Sequence, residues 1–174
     1  MMAWEETWME IARALWASSF LDRVVPWFTH LGSHLAVIAF ILFSFLWTRS
    51  RSVAGRLVLL YGIQSAVVYG LKFLVRRERP LLYGKLASRF ASGPGEILDP
   101  SFPSAHTLYA FMMATLLAHR FPRWRLLFYM GACLVGWSRL YLGLHFPTDV
   151  AAGAFLGFGL TRLFLHREAT RKAS

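Results

Sequence analysis

Residues 138–149, with the sequence Ser-Arg-Leu-Tyr-Leu-Gly-Leu-His-Phe-Pro-Thr-Asp, bring several chemically capable side chains close together in the chain. They include a guanidinium (Arg139), an imidazole (His145) and a carboxylate (Asp149). A neutral histidine is a competent nucleophile when a partner on its second ring nitrogen holds the tautomer. Asp149 follows His145 by four residues, so a helical turn that begins near Pro147 is expected to bring the carboxylate within reach of the ring.

Two earlier stretches supply what such a nucleophile needs in order to act on an anionic substrate. Lys72 and Arg79 are cations and Ser104 is a hydroxyl donor for oxygens that carry negative charge. Pro103 comes directly before a predicted helix, whose first N–H groups can also point toward an anion. His106 is left to protonate a departing oxygen. This set of groups suits the cleavage of a phosphate ester.

The composition indicates a membrane protein. Hydrophobic residues make up 56% of the 174 residues and charged residues only 16%, and the mean hydropathy is +0.45. Soluble domains carry about 25% charged residues. A net charge of +10 would suit a nucleic-acid binder, but the basic residues lie at the ends of apolar runs and form no continuous stripe. We therefore expect one membrane domain over residues 1–174, with the lipid bilayer and not nucleic acid as its partner.

The hydrophobic pattern predicts an all-α, integral-membrane helical bundle. Residues 1–22 mix acids with apolar residues at spacings of three and four, which is typical of a helix at the membrane interface and equally of a helix packed on the protein. About five transmembrane helices follow. Several of them are shorter than the ~20 residues of a perpendicular span, which indicates that helix ends and catalytic loops dip toward the bilayer. The predicted spans are 26–47, 57–75, 104–118, 124–140 and 150–165.

The basic residues predict how the bundle is oriented in a cell membrane. With five spans, three basic groups fall on one side, which the positive-inside rule makes cytoplasmic together with the C-terminus. The chemically capable residues then face the outside. The loop before the third predicted span breaks the charge pattern, because it carries additional cations that an anionic substrate or anionic headgroups would explain. Those cations are Arg76, Arg77, Lys85 and Arg89.

Three motifs carry a resemblance to a known family. They are Lys-x6-Arg-Pro at 72–80, Pro-Ser-x-His at 103–106 and Ser-Arg-x5-His-x3-Asp at 138–149. In this order and spacing they resemble the three-part signature of the type 2 phosphatidic acid phosphatase superfamily. Its members are integral-membrane lipid phosphate phosphatases related by active site to vanadium haloperoxidases. The signature spans residues 72–149.

The resemblance implies a role for each motif residue. His145 would attack phosphorus and form a phosphohistidine, Asp149 would orient it, and His106 would act as acid and then as base. No metal or cofactor is implied. One residue departs from the pattern: Ala105 replaces the usual glycine, which the phosphate site should tolerate unless that position requires a positive φ. The phosphate-binding residues would be Lys72, Arg79, Ser104, Ala105 and Arg139.

A chain that is almost entirely membrane-embedded favours a lipid substrate. We expect hydrolysis of undecaprenyl pyrophosphate to undecaprenyl phosphate, since the additional cations favour a diphosphate slightly. Phosphatidylglycerophosphate and phosphatidic acid are the alternatives. A lipid-phosphate binding or transport protein could keep the helices and cations, but it would not need both histidines and Asp149. A vanadate-binding haloperoxidase would keep the anion site, yet such enzymes are expected to be soluble.

Overall fold

The structure is a computed structural model that describes residues 4–5, 7–9, 11, 18–80 and 99–173. All regular elements in these residues are helical, as the sequence predicts, and 3₁₀ turns lie at His30–Gly32 and Pro122–Trp124. The described residues between 4 and 11 are also helical. The α-helices that follow are α1 (Leu21–Thr29), α2 (His34–Thr48), α3 (Arg51–Val75), α4 (Ala105–Arg120), α5 (Arg125–Tyr141) and α6 (Pro147–Ala173).

Two of these helices are long and apolar enough to cross a membrane: α3, and α6 over Pro147–Arg171. The segments Leu21–Gly32 and His34–Thr48 meet the same criterion together, as a pair bent by 55°. The described part of the chain thus contains two candidate spans, or three with the bent pair. Helices α4 and α5 have 16 and 17 residues, less than the ~20 of a perpendicular span. The count of about five spans stays a prediction.

Local capping sets where the central helices begin and end. The side chains of Ser33 and Ser50 accept hydrogen bonds from backbone N–H groups in the first turns of α2 and α3, which satisfies donors that a helix leaves unpaired. Helix α3 ends at Val75, and the next residue, Arg76, is in the left-handed conformation with φ 49° and donates its N–H to the Lys72 carbonyl. This cap turns the chain, so that residues 77–79 return across the end of the bundle.

Two glycines let α6 lie directly on the backbone of α4. A Cβ atom at Gly153 would overlap the carbonyl oxygen of Ser104, and one at Gly157 would overlap the carbonyl oxygen of Leu108. Small residues four apart on one helix face permit this close packing of helices. The approach places the first turns of the two helices side by side, and the Ser104 N–H donates to the Asp149 carbonyl at 3.0 Å.

The interior is apolar in the middle of the bundle, and so is the outer surface. A buried cluster that includes Val37, Leu60 and Leu108 joins α2, α3 and α4. Large apolar side chains on the outside are exposed, among them Leu35 and Phe155. Exposed apolar surface of this extent marks contact with lipid or protein, and for a bundle of apolar helices lipid is the natural neighbour.

Helices α3 and α6 run antiparallel, which defines two ends of the bundle. Arg56 near the start of α3 contacts Glu168 near the end of α6 at 3.0 Å. Beyond the other end of α3, Arg77 contacts Asp149 in the first turn of α6 at 2.7 Å. We call these the basic end and the motif end. Basic residues flank the helix termini at the basic end, namely Arg49, Arg51, Arg120, Arg123, Arg125, Arg167 and Arg171.

Candidate active site

The three sequence motifs meet at the motif end. The last turn of α3 and the segment after it bring the first motif, the start of α4 brings the second, and the end of α5 with the loop before α6 brings the third. Six of the eight candidate residues are buried there, while Ala105 and His106 are half-buried. The buried residues are Lys72, Arg79, Ser104, Arg139, His145 and Asp149.

His145 lies in the loop between α5 and α6 with different groups on its two ring nitrogens. On one side, Nδ1 is 3.6 Å from Asp149 Oδ2 and 3.4 Å from Ser101 Oγ. On the other side, Nε2 is 3.4 Å from a guanidinium nitrogen of Arg79. The carboxylate favours a proton on Nδ1, which leaves the lone pair of Nε2 on the side of the cation. This is the arrangement a histidine nucleophile requires for an anionic group held by Arg79.

The surroundings of His145 keep its imidazole neutral. Burial lowers the pKa of His145 well below 6.5, and the positive charges of Arg79, Arg139 and Lys72 lower it further, opposed by a hydrogen bond with Ser101. Both effects act against the charged form of the ring. At neutral pH the Nε2 lone pair is therefore available for attack.

Asp149 is fully buried, and its carboxylate accepts hydrogen bonds from three residues. Its Oδ2 accepts hydrogen bonds from the Ser101 hydroxyl and from the Phe146 N–H at 2.8 Å. Its Oδ1 accepts from Arg77 at 2.7 Å. The sequence placed Asp149 beside His145 but did not identify Ser101, which bridges the two. Ser101 lies outside the three motifs, and a serine in a loop gives no signal of its own.

Asp99 holds the two cations of the first motif together. Its Oδ2 is 2.9 Å from Lys72 Nζ and 2.9 Å from an Arg79 guanidinium nitrogen. Lys72 also donates to the Pro100 carbonyl, and Arg79 to the Leu144 carbonyl at 3.1 Å. Two buried cations this close need a counter-charge, and an anionic ligand at these cations would meet the Asp99 carboxylate. The sequence prediction missed Asp99. Two buried cations require a nearby carboxylate, and this requirement could have pointed to it.

The start of α4 supplies the second motif. Ser104 is the residue before the helix, and its hydroxyl accepts a hydrogen bond from Thr107 at 3.0 Å. Ala105 is the first residue of α4, and among the described non-glycine residues only Arg49 and Arg76 have a positive φ. Alanine therefore fits this position without backbone strain. His106 follows, within electrostatic influence of Arg139 and His145.

The remaining candidate cations have different positions. Arg139 donates to the Thr29 hydroxyl at 2.8 Å and so links α5 to α1. Arg76 points outward, with its guanidinium 4.8 Å from the centre of the Phe73 ring. Arg77 points inward to Asp149. The other two, Lys85 and Arg89, lie outside the described residues.

The described residues contain no group of three or more histidine, cysteine, aspartate or glutamate side chains that could hold a metal ion. His30 and His34 are closely spaced near the start of α2. Both ring nitrogens of His34 contact tyrosine hydroxyls. They lie 2.5 Å from the Tyr61 hydroxyl and 2.7 Å from the Tyr69 hydroxyl.

Comparison with known proteins gives the family. Residues 53–173 match the family model of the PAP2 superfamily, and a helical membrane fold with these three motifs at one end agrees with that match. The chain therefore belongs to the PAP2 superfamily, as its motifs predict, and its apolar helices place it in a membrane.

Two relatives and one solved structure show the extent of the similarity. Over 127 residues the chain is 35% identical to the bacitracin transport permease protein BcrC of Bacillus licheniformis, covering 67% of this chain and 58% of the relative. Over 133 residues it is 32% identical to an undecaprenyl-diphosphatase of Sulfolobus acidocaldarius, covering 72% and 60%. The chain thus matches less than two thirds of the length of either relative.

The solved structure is the crystal structure of a transmembrane PAP2 type phosphatidylglycerolphosphate phosphatase from Bacillus subtilis. It superposes with a TM-score of 0.77 at 26% identity, covering 95% of this chain and 85% of the other.

Proposed function

We propose that this protein is a metal-independent lipid phosphatase that works through a phosphohistidine at His145. The observation that supports this most strongly is the placement of the buried His145 ring between Asp149 and Ser101 on one nitrogen and Arg79 on the other. A binding or transport protein needs cations for a phosphate but has no use for an oriented neutral imidazole.

The reaction has two balanced steps. In the first, Nε2 of His145 attacks the terminal phosphorus, and the bond from that phosphorus to the leaving oxygen breaks while His106 gives a proton to that oxygen. The leaving oxygen is the bridging oxygen of a pyrophosphate or the ester oxygen of a monophosphate. In the second, His106 takes a proton from water, the water oxygen attacks phosphorus, and the bond from phosphorus to Nε2 breaks with release of phosphate. General acid and base catalysis of this kind contributes about 10²–10⁴-fold.

The phosphoryl oxygens would be held by preorganised donors. Lys72, Arg79 and Arg139 supply positive charge, Ser104 supplies a hydroxyl, and the Ala105 and His106 N–H groups at the start of α4 are donors that a helix leaves unpaired. Their value lies in stabilising the charge that develops in the transition state.

Undecaprenyl pyrophosphate is the substrate we propose first. A relative named undecaprenyl-diphosphatase supports this choice. The argument from additional cations is weaker than the sequence suggested, because Arg77 is engaged by Asp149. Phosphatidylglycerophosphate is the second candidate, supported by a structural neighbour that matches nearly the whole chain. Phosphatidic acid is the third.

We further propose that the motif end faces the outside of the cell membrane and that the C-terminus is cytoplasmic. The support is the gathering of exposed basic residues at the opposite end of the bundle, which the positive-inside rule assigns to the cytoplasm. A green fluorescent protein fused to the C-terminus should fluoresce in cells. If the fluorescent fusion is dark and alkaline phosphatase fused at the same position is active, the C-terminus lies outside the cell and the proposed orientation is reversed.

The function is tested by phosphate release from purified protein in detergent with EDTA present. The panel contains undecaprenyl pyrophosphate, phosphatidylglycerophosphate and phosphatidic acid, with His145→Ala as the control. We expect turnover that requires His145 and is unaffected by EDTA, with the fastest lipid identifying the substrate. Folded protein that binds these lipids without hydrolysing any of them would favour a binding or transport role, which the name of the B. licheniformis relative also suggests.

A further inference from the structure

Glu5 is fully buried although it lies near the start of the chain. Its carboxylate contacts a guanidinium nitrogen of Arg77 at 2.5 Å and accepts a hydrogen bond from the Thr148 hydroxyl at 2.6 Å. A buried carboxylate is costly unless it is paired and hydrogen-bonded. The partners of Glu5 belong to the segment after α3 and to the first turn of α6. Glu5 therefore lies at the same end of the bundle as the three motifs.

Arg77 connects Glu5 to the candidate catalytic pair. One of its terminal nitrogens donates to Asp149 Oδ1 at 2.7 Å and to the Thr148 hydroxyl at 2.6 Å, while the other faces Glu5. Its guanidinium lies 4.2 Å from the centre of the Phe146 ring, and its carbonyl accepts from the Ser101 N–H at 2.7 Å. Arg77 thus contacts Asp149 and both residues that donate to Oδ2 of Asp149.

We propose that Arg77 and Glu5 are positioning residues for the His145–Asp149 pair, and this proposal rests on the function proposed for His145. Arg77 occupies Oδ1 of Asp149, which directs Oδ2 toward Ser101 and His145 Nδ1. Glu5 fixes the second nitrogen of Arg77. Glu5 is then a part of the active site although it is far from the three motifs in the sequence.

Glu5 also affects the charge at Asp149. One guanidinium shared by two carboxylates leaves the group with net negative charge, so Asp149 can still stabilise a proton on His145 Nδ1. When Glu5 is neutral, Arg77 balances Asp149 alone and weakens it as an acceptor. The other charged groups near His145 are Arg79, Arg139 and Lys72, and the substitutions below leave all of them in place.

The first measurement compares steady-state kinetics of Glu5→Gln and Arg77→Gln with those of Glu168→Gln and Arg56→Gln. The latter two break the ion pair at the basic end, which has the same residue types and also joins distant parts of the chain. Loss of a partner that orients a metal ligand costs about 10–100-fold, and we expect loss of a partner that orients Asp149 to matter to a similar degree. We expect losses of this size in kcat with little change in KM for Glu5→Gln and Arg77→Gln, and wild-type kinetics for the two controls. Glu5→Gln conserves side-chain shape, so it decides the outcome if Arg77→Gln does not fold.

The second measurement does not depend on turnover. Protein labelled with ¹⁵N-histidine is examined at pH 7, and the His145 signals are assigned by their loss in His145→Ala. We expect wild type and Glu168→Gln to hold the proton on Nδ1, and Glu5→Gln to show a mixture of the two tautomers. A His145 tautomer in Glu5→Gln identical to that of wild type would overturn the proposal, even if kcat falls. Tautomer mixing in Glu5→Gln, with a wild-type protein that hydrolyses no lipid, would support the positioning role and reject the phosphatase function.

Discussion

Two arginine–carboxylate contacts join the region of α3 to α6, one at each end of the bundle, and their surroundings differ sharply. At the basic end, Arg56 and Glu168 are 33% and 27% exposed. At the motif end, Arg77 is 19% exposed, and the Asp149 and Glu5 side chains that contact it are 0% exposed. An exposed pair contributes about 0–1 kcal/mol, whereas removing one partner from a buried pair costs about 3–5 kcal/mol. Similar residue types therefore serve as a surface contact at one end and as part of a costly buried network at the other.

The cations follow the same division. At the basic end the arginines that flank the helix termini are exposed, as expected for charges that set the orientation of a membrane protein. At the motif end Lys72, Arg79 and Arg139 are buried. Ionisable groups buried at the end of an apolar bundle are tolerated mainly where they are paired or functional. Burial, more than residue type, separates the candidate site from the rest of the basic residues.

The largest effect on activity is expected at the motif end, from substitution of the proposed nucleophile. His145→Ala and Asp149→Ala should each lower phosphate release by about 10³-fold or more, as for loss of a member of a nucleophile triad. Lipid phosphate release by the purified variants measures the effect, and their thermal unfolding shows whether they are folded. Wild-type rates in folded His145→Ala would exclude His145 as the nucleophile.

The next largest effect concerns the proposed acid at the start of α4. His106→Ala should slow hydrolysis of a lipid substrate by about 10²-fold or more, because general acid catalysis is lost. Nitrophenyl phosphate should lose less, since nitrophenolate departs without a proton. The ratio of the two losses is the measurement. Equal losses on both substrates would contradict the acid role.

A smaller effect is expected at Ser101, the residue that bridges His145 and Asp149. Ser101→Ala removes a hydrogen bond to a buried carboxylate, and such bonds contribute about 1.5–3 kcal/mol. We expect kcat to fall about tenfold, with a largely unchanged KM, since the described contacts of Ser101 are with Arg77, His145 and Asp149 and with none of the three proposed phosphate-binding cations. A large rise in KM at constant kcat would instead place Ser101 in substrate binding.

The sequence predicted which motif residues lie together at one end of the bundle better than it predicted the residues that support them. The three motifs identified His145, Asp149 and the cations because their spacing within each motif is short and local. Ser101, Asp99 and Glu5 were missed because they reach the site through chain turns and long-range packing, which spacing alone does not encode. Helices α4 and α5 agree closely with the predicted spans, but the predicted span 26–47 is divided between α1 and α2, which are bent by 55°. Helix α6 extends beyond its predicted span, and α3 begins at Arg51 and not near residue 57. The Ser50 cap extends that helix into a polar stretch that hydropathy excludes.

Lowering the pH should destabilise the folded protein through His145 at the motif end. The folded protein lowers the pKa of His145 well below 6.5, so the unfolded chain binds a proton in this range that the folded protein does not. The free energy of unfolding should be unaffected by His145 above pH 6.5. Below pH 6.5 this residue should reduce it by about 1.4 kcal/mol per pH unit, until the lowered pKa is reached.

Unfolding in mixed micelles at pH 7.5, 6.0 and 5.0 measures this dependence. His145→Gln, which cannot take up a proton at this position, should lose less stability than wild type between pH 6.0 and 5.0. Parallel losses in the two proteins would mean that His145 is charged in the folded state, which would remove the neutral nucleophile.

The smallest effect is expected at the basic end. Glu168→Gln removes a partly exposed ion pair with Arg56, so it should change the free energy of unfolding by less than about 1 kcal/mol, and less still at high salt, which screens such charges. Unfolding in mixed micelles at low and high salt provides the test, beside Glu5→Gln at the motif end. Equal losses in the two variants would mean that Glu5 is no more tightly held than a surface carboxylate, and the contrast between the two ends would fail. A larger loss in Glu5→Gln that persists at high salt is the expected behaviour of a buried pair, because solvent ions do not reach it.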